Sequence, residues 1–248
     1  MMLFLLFLLF AAALSVALGR RGIRAAAPGV PVTPAARPER LLIVGATGGT
    51  GRQLVTQALE RGYTVTAMAR DPSTLRVEHP RLTVVRSNVL DYPSVEAAVR
   101  GQDAVLSALG HKRYFGPSRI LSEGTRNLLR AMETHRVQRF VCATALGIGG
   151  TAGRMGVYYT FFAIPIVLPF YFWDKTRQER LIAASRVPWV VVRPGALTNG
   201  AKRGRYRHGQ RVGSLLGPVR ISRADVADFM LNQLTENRYL SGAVGVCW

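Results

Sequence analysis

The chain has 248 residues, 48% apolar and 19% charged, with 33 basic against 14 acidic side chains and a formal charge of +19. That length suits one α/β domain with a substantial core and a short extension, and is thin for two. No repeat with a period of about 20 to 50 residues is present, which excludes solenoids and propellers.

The positive charge is carried almost wholly by arginine, the lysines being Lys112, Lys175 and Lys202. Such a field attracts anionic ligands, anionic lipid or nucleic acid without choosing among them. Nucleic acid is disfavoured, because the sequence holds no helix-turn-helix, no finger and no basic platform interleaved with aromatics. Cys142 and Cys247 have neither metal nor redox spacing and lie in apolar runs that read as strands. Both are expected as buried, reduced thiols, and no metal site is expected.

In chain order, residues 1–19 carry no charge and are dominated by Leu, Phe and Ala. At about 1.5 Å per residue this run just spans a bilayer core of about 30 Å. Positive charge follows it at Arg20, Arg21 and Arg24, which predicts an uncleaved membrane anchor with the folded domain on the cytoplasmic side. The alanines of 25–27 leave a cleaved export signal as the alternative. Residues 20–40, with Pro28, Pro31, Pro34 and Pro38, read as a semi-extended linker.

The folded domain is expected over 41–248. Strands are predicted at 41–44, Thr64–Ala69, Leu82–Arg86, 104–108, 140–144 and 189–192. Helices are predicted at 53–61, 95–100, Ile120–Thr134 and 175–185. A last one begins at Ser222, where Ser222 and Asp225 form a capping box ahead of the apolar run 226–231. Continuous apolar strands alternating with helices require a parallel sheet covered on both faces. The expected fold is therefore α/β, a doubly wound, three-layer αβα architecture of the Rossmann type, preceded by a hydrophobic anchor helix.

Between the first strand and first helix stands Gly45-Ala46-Thr47-Gly48-Gly49-Thr50-Gly51. Glycines at this junction allow a tight turn and let bare backbone approach a pyrophosphate, while the following helix aims its unpaired N–H groups at that anion. The end of the second strand decides between nicotinamide cofactors. A carboxylate there suits the ribose hydroxyls of NAD, and an arginine suits the 2′-phosphate of NADP. Arg70 occupies the deciding position, with Asp71 one beyond it, and Arg52 offers a second guanidinium. NADP(H) is the expected cofactor.

With these features, and with Ser87-Asn88-Val89-Leu90-Asp91, Ser122-Glu123-Gly124-Thr125-Arg126-Asn127 and Arg193-Pro194-Gly195-Ala196-Leu197-Thr198, the chain resembles the atypical short-chain dehydrogenase/reductases. Its nearest types are the NAD(P)H-binding, NmrA-like proteins and the biliverdin reductase B/flavin reductase group. The resemblance covers about residue 41 to the C-terminus. It implies that Asn88, with Val89, stands where the family has an aspartate meeting the adenine. An Asn oxygen can still accept that bond. It also implies that the Ala108-Leu109-Gly110 backbone passes the ribose and pyrophosphate, and that Pro194 lies beside the nicotinamide.

The family's catalytic Tyr-x-x-x-Lys spacing matches Tyr171 and Lys175, with Thr144 at the usual serine position. A spacing of four places tyrosine and lysine on one helical face. Lys175 is thereby also a cofactor candidate through the nicotinamide ribose. Tyr171 lies in an aromatic run, and atypical members can transfer hydride by positioning alone, so its role as acid stays open. Residues 157–173 are charge-free, with Pro165 and Pro169, and read as a hydrophobic lid, a dimer surface or a membrane-dipping loop. The basic run 202–208 reads as a headgroup contact or a solvated loop. The function expected is NADPH-dependent reduction of a small, hydrophobic or conjugated acceptor such as a flavin, quinone or carbonyl. A non-catalytic NADP(H)-binding sensor or assembly factor is the alternative.

Overall fold

The computed structural model describes residues 5–7, 9, 10, 13, 14, 17, 23 and 37–248, with the exception of 112, 113 and 115. Strands β1 (Arg40–Val44), β2 (Thr64–Ala69), β3 (Leu82–Arg86), β4 (Ala104–Ser107), β5 (Arg139–Ala143), β6 (Trp189–Pro194), β8 (Arg207–Gly209) and β10 (Gly242–Cys247) form one sheet in the order β3-β2-β1-β4-β5-β6-β10-β8. The sheet is parallel apart from β8, which pairs antiparallel with β10. Short strands β7 (Ala196–Thr198) and β9 (Arg220–Ser222) pair with each other outside it.

Side chains along each central strand alternate between two cores, which explains why these strands are apolar throughout. Leu41 and Ile43 enter one cluster with Leu54, Val55, Val226 and Phe229. These come from helices α1 (Gly49–Glu60) and α5 (Arg223–Asn232). Leu42 and Val44 enter the other with Val95, Leu128 and Ile182, from α2 (Tyr92–Val99), α3 (Ile120–Thr134) and α4 (Pro169–Ala184). Helices thus cover both faces of a parallel sheet, the three-layer Rossmann-type arrangement that the alternation predicts. Strand order reverses between β1 and β4, and in open α/β sheets that switch point is where ligands bind.

Several elements differ from expectation: α1 and α2 begin four and three residues earlier than predicted, and the short strands β7, β8 and β9 were not foreseen. The helix expected at 175–185 begins a turn and a half earlier, at Pro169, a residue suited to the first helical position because its missing N–H is not needed there. Ahead of it Tyr159–Val167 forms a π-helix with Pro165 inside it. Its inner side chains Ala163 and Ile164 are buried, Ile164 beside Leu146, Ile148, Met155 and Phe172.

The expected anchor over 1–19, and with it the membrane-anchored localisation, is overturned. Among the described residues no helix is long and apolar enough to cross a membrane, and that finding includes residues 157–173. The described residues of 1–19 are helical. Two of them find apolar partners on the domain itself: the Phe7 ring meets Phe162 with centroids 6.1 Å apart, and Leu14 packs on the Leu146–Phe172 cluster. The other residues of 1–19, and the linker 20–40 apart from Ile23 and 37–40, lie outside the described residues.

Candidate cofactor and active site

Gly45 leaves β1 at φ +78°, and a Cβ there would stand 2.8 Å from the Ala108 carbonyl oxygen. The loop is therefore pressed onto the end of β4 at the switch point. A Cβ on Gly51 would collide with the Gly45 carbonyl oxygen, so both positions exclude a side chain. Gly48 is the N-cap of α1 and supplies no side-chain cap, and the first turn holds no acidic residue. Gly48 and Gly49 are exposed, whereas Thr47 is half-buried and Thr50 buried. The uncapped N–H groups and positive end of α1 face an open cradle that fits a pyrophosphate.

Beyond β2, Arg70 is exposed, while Asp71 is committed to its own turn. The Asp71 carboxylate accepts from the Ser73 hydroxyl at 2.8 Å and the Ser73 amide at 3.2 Å. Those two bonds, with help from the Arg86 charge, hold its carboxyl below the usual range. Arg52 bridges the glycine loop to this turn, donating to the Thr47 and Thr74 carbonyls at 3.1 and 3.0 Å. Sequence reasoning missed Arg86. Its signal lies in the β2–β3 register, which sets Arg86 opposite Ala69 and so beside Arg70.

The Asn88 side-chain oxygen accepts from the Leu90 amide at 3.2 Å, which fixes the side chain and leaves the second lone pair of that oxygen. The Glu123–Asn127 stretch of α3 serves the same loop. A Cβ on Gly124 would stand 2.9 Å from Val89 Cβ and 3.2 Å from Leu109 Cδ2, so glycine lets the helix approach. Asn127 donates to the Val89 carbonyl at 2.9 Å. Ala108, Leu109 and Gly110 follow β4, and Pro194 ends β6, buried, with its carbonyl accepting from Leu146.

Tyr171 and Lys175 lie one turn apart on α4. Lys175 is buried, its Nζ donating to the Ala143 carbonyl at 3.4 Å and standing 5.2 Å from the Tyr171 ring centroid. The Tyr171 hydroxyl lies 3.5 Å from where a Cβ on Gly110 would be, with the His111 and Tyr114 rings packed against Tyr171. The helix is held here by Asp174, whose fully buried carboxylate accepts from the Leu121 and Ser122 amides at the start of α3. Asp174 thus caps a neighbouring helix that lacks its own cap.

Thr144 does not join this group. Its hydroxyl donates at 2.7 Å to Glu179, which also pairs bidentately with Arg193 at 2.6 and 2.9 Å, both charges fully buried. Burial pushes the Cys142 thiol up to about 12, and both cysteines are buried and free, as expected. Among the described residues no group of side chains could hold a metal ion. The basic run is exposed apart from Tyr206, with several of its groups tied to the domain. Asp225 accepts from the Arg203 and Gly204 amides, Asp228 binds Lys202 and Tyr206, and the Arg203 guanidinium stacks on Trp248.

A family model described as NAD(P)H-binding matches residues 45–237, from the glycine loop to beyond α5. The chain belongs to this NAD(P)H-binding family. The NmrA-like resemblance fits this family. A reductase, pytE, of Aspergillus terreus is 29% identical over 82% of this chain and 96% of its own length. An uncharacterized chloroplastic protein of Arabidopsis thaliana is 31% identical over 66% of this chain, which spans 61% of that relative's length. Among solved structures, a wide-type short-chain dehydrogenase/reductase from Veillonella parvula in complex with NADP superposes with a TM-score of 0.68. It covers 84% of this chain and 94% of its own at 16% identity, a likeness of fold.

Proposed function

We propose that the chain, as a single NAD(P)-binding unit over 41–248, is an NADPH-dependent reductase of a small, hydrophobic or conjugated acceptor such as a flavin, quinone or carbonyl. The observation that carries this reading is the meeting of three features at the β1–β4 switch point. They are the uncapped glycine cradle, the arginines beyond β2, and Tyr171 with Lys175 against Gly110. When bound, the nicotinamide cofactor supplies hydride. Gly45, Gly48, Gly49, Thr50 and Gly51 would hold its pyrophosphate, and Arg70, Arg52 and Arg86 its 2′-phosphate. Asn88 and Val89 would lie along the adenine, the backbone of 108–110 along the ribose, and Pro194 beside the nicotinamide. Lys175 orients the ribose from α4, and Tyr171 donates a proton where the acceptor oxygen needs one. The apolar segment 157–173, with Ile166 and Phe170 exposed, forms the substrate-side lid.

A second reading, a non-catalytic NADP(H)-binding sensor or assembly factor, is favoured by Thr144, whose hydroxyl serves Glu179. Steady-state NADPH oxidation with flavin, quinone and carbonyl acceptors decides between them. Turnover supports the reductase; saturable NADPH binding with no turnover on any acceptor supports the sensor.

A further inference from the structure

The glycine cradle has a neighbour that lies far outside its motif. α5 packs against α1, and the Gln57 side chain donates to the Ala224 carbonyl at 2.9 Å in a buried contact. That contact sets Arg223, the first residue of α5, directly on the loop. A Cβ on Gly49 would stand 2.5 Å from Arg223 Cδ and 2.7 Å from Nε. Gly45 and Gly51 exclude a side chain because of backbone, but Gly49 does so because an arginine stem occupies the space. Arg223 Nη1 donates at 2.6 Å to Asn199, just after β7, in the stretch that follows Pro194 and Gly195. The acid nearest in sequence, Asp225, does not neutralise it. Its carboxylate accepts from Ser222, Trp248 and the amides of Arg203 and Gly204.

We infer that Arg223 is a pyrophosphate-binding residue, reaching from α5 the anion that the α1 amides face. The geometry that supports this is a half-exposed arginine whose Cδ and Nε lie against exposed Gly49 of the cradle. Its Asn199 bond ties the loop beside Pro194 to the phosphate end, so one side chain registers the two halves of the cofactor. A guanidinium is suited to this task because its planar fork can bond Asn199 and an anion together.

The test is equilibrium binding of NADPH, NADH and adenosine 2′-monophosphate, which carries the 2′-phosphate but no pyrophosphate. The protein is the full chain, wild type and Arg223→Gln, with thermal unfolding of the ligand-free proteins alongside. A charge-assisted bond to phosphate predicts that Arg223→Gln weakens both dinucleotides by about ten-fold or more. The NADPH to NADH ratio and the 2′-monophosphate affinity stay within about two-fold, and the salt slope of dinucleotide binding falls. Arg223→Lys, which keeps stem and charge, should retain more affinity than the glutamine variant. Unchanged dinucleotide affinity in Arg223→Gln overturns the inference. So does an equal loss for the 2′-monophosphate, which would mark Arg223 as loop packing alone. Failure of turnover in the wild type would count against the reductase and leave this result standing.

Discussion

At Arg70 and Asp71 two adjacent charges compete to define the cofactor, and hydrogen bonding separates them. Asp71 spends its carboxylate on Ser73, whereas Arg70 stands exposed with Arg86 across the strand pair. Arg70→Ala should therefore cost about ten-fold in NADPH affinity with little change for NADH, measured by titration calorimetry. Equal wild-type affinities would point to Asp71 as the ribose ligand. On α4, Lys175→Ala should harm turnover more than Tyr171→Phe, because in the proposed mechanism the lysine orients the cofactor whatever the acceptor. A loss of about 100-fold or more in Tyr171→Phe, within the worth of a general acid, would reverse that ranking. Glu179 holds Arg193 and Thr144 in a fully buried cluster. Glu179→Ala leaves the arginine charge buried and unpaired, and should cost about 3–5 kcal/mol of stability, read by denaturant unfolding.

At the scale of elements, the fit of sequence to structure depends on how local the cause is. The inner strands β1, β4, β5 and β6 were legible because burial on both faces demands near-continuous apolar runs, whereas β2 and the half-exposed edge strand β3 show only a partial one. The start of α5 was legible because Ser222 accepts from the Asp225 amide at 3.0 Å. Legibility ended where partners are distant in sequence. The Thr144 hydroxyl matches the catalytic position by spacing, yet its orientation is set by Glu179 on another element, and spacing carries no record of that. Arg86 and Arg223 escaped because their place beside the cofactor loops comes from sheet register and helix packing. The apolar run of 1–19 has the composition of an anchor, and composition alone could not reveal Phe7 on Phe162 or Leu14 on the domain. Close packing of α3 gives a further expectation. Gly124→Ala drives a methyl into Val89, and should lower stability by about 1–3 kcal/mol and weaken NADPH binding through the displaced 88–89 loop.

For the whole molecule, the doubly wound sheet explains why one end gathers the chemistry. Parallel strands deliver the glycine loop, Arg70, Asn88, Gly110 and Pro194 to their C-terminal ends, and α4 adds Tyr171 and Lys175 over the same switch point. The decisive measurement is single-turnover oxidation of NADPH prebound to the full chain, mixed in turn with a flavin, a quinone and a carbonyl acceptor. The reductase account predicts that bound NADPH is oxidised by at least one of them, faster than NADH under the same conditions, with the reaction suppressed in Lys175→Ala. NADPH that stays bound and reduced with all three acceptors would contradict it.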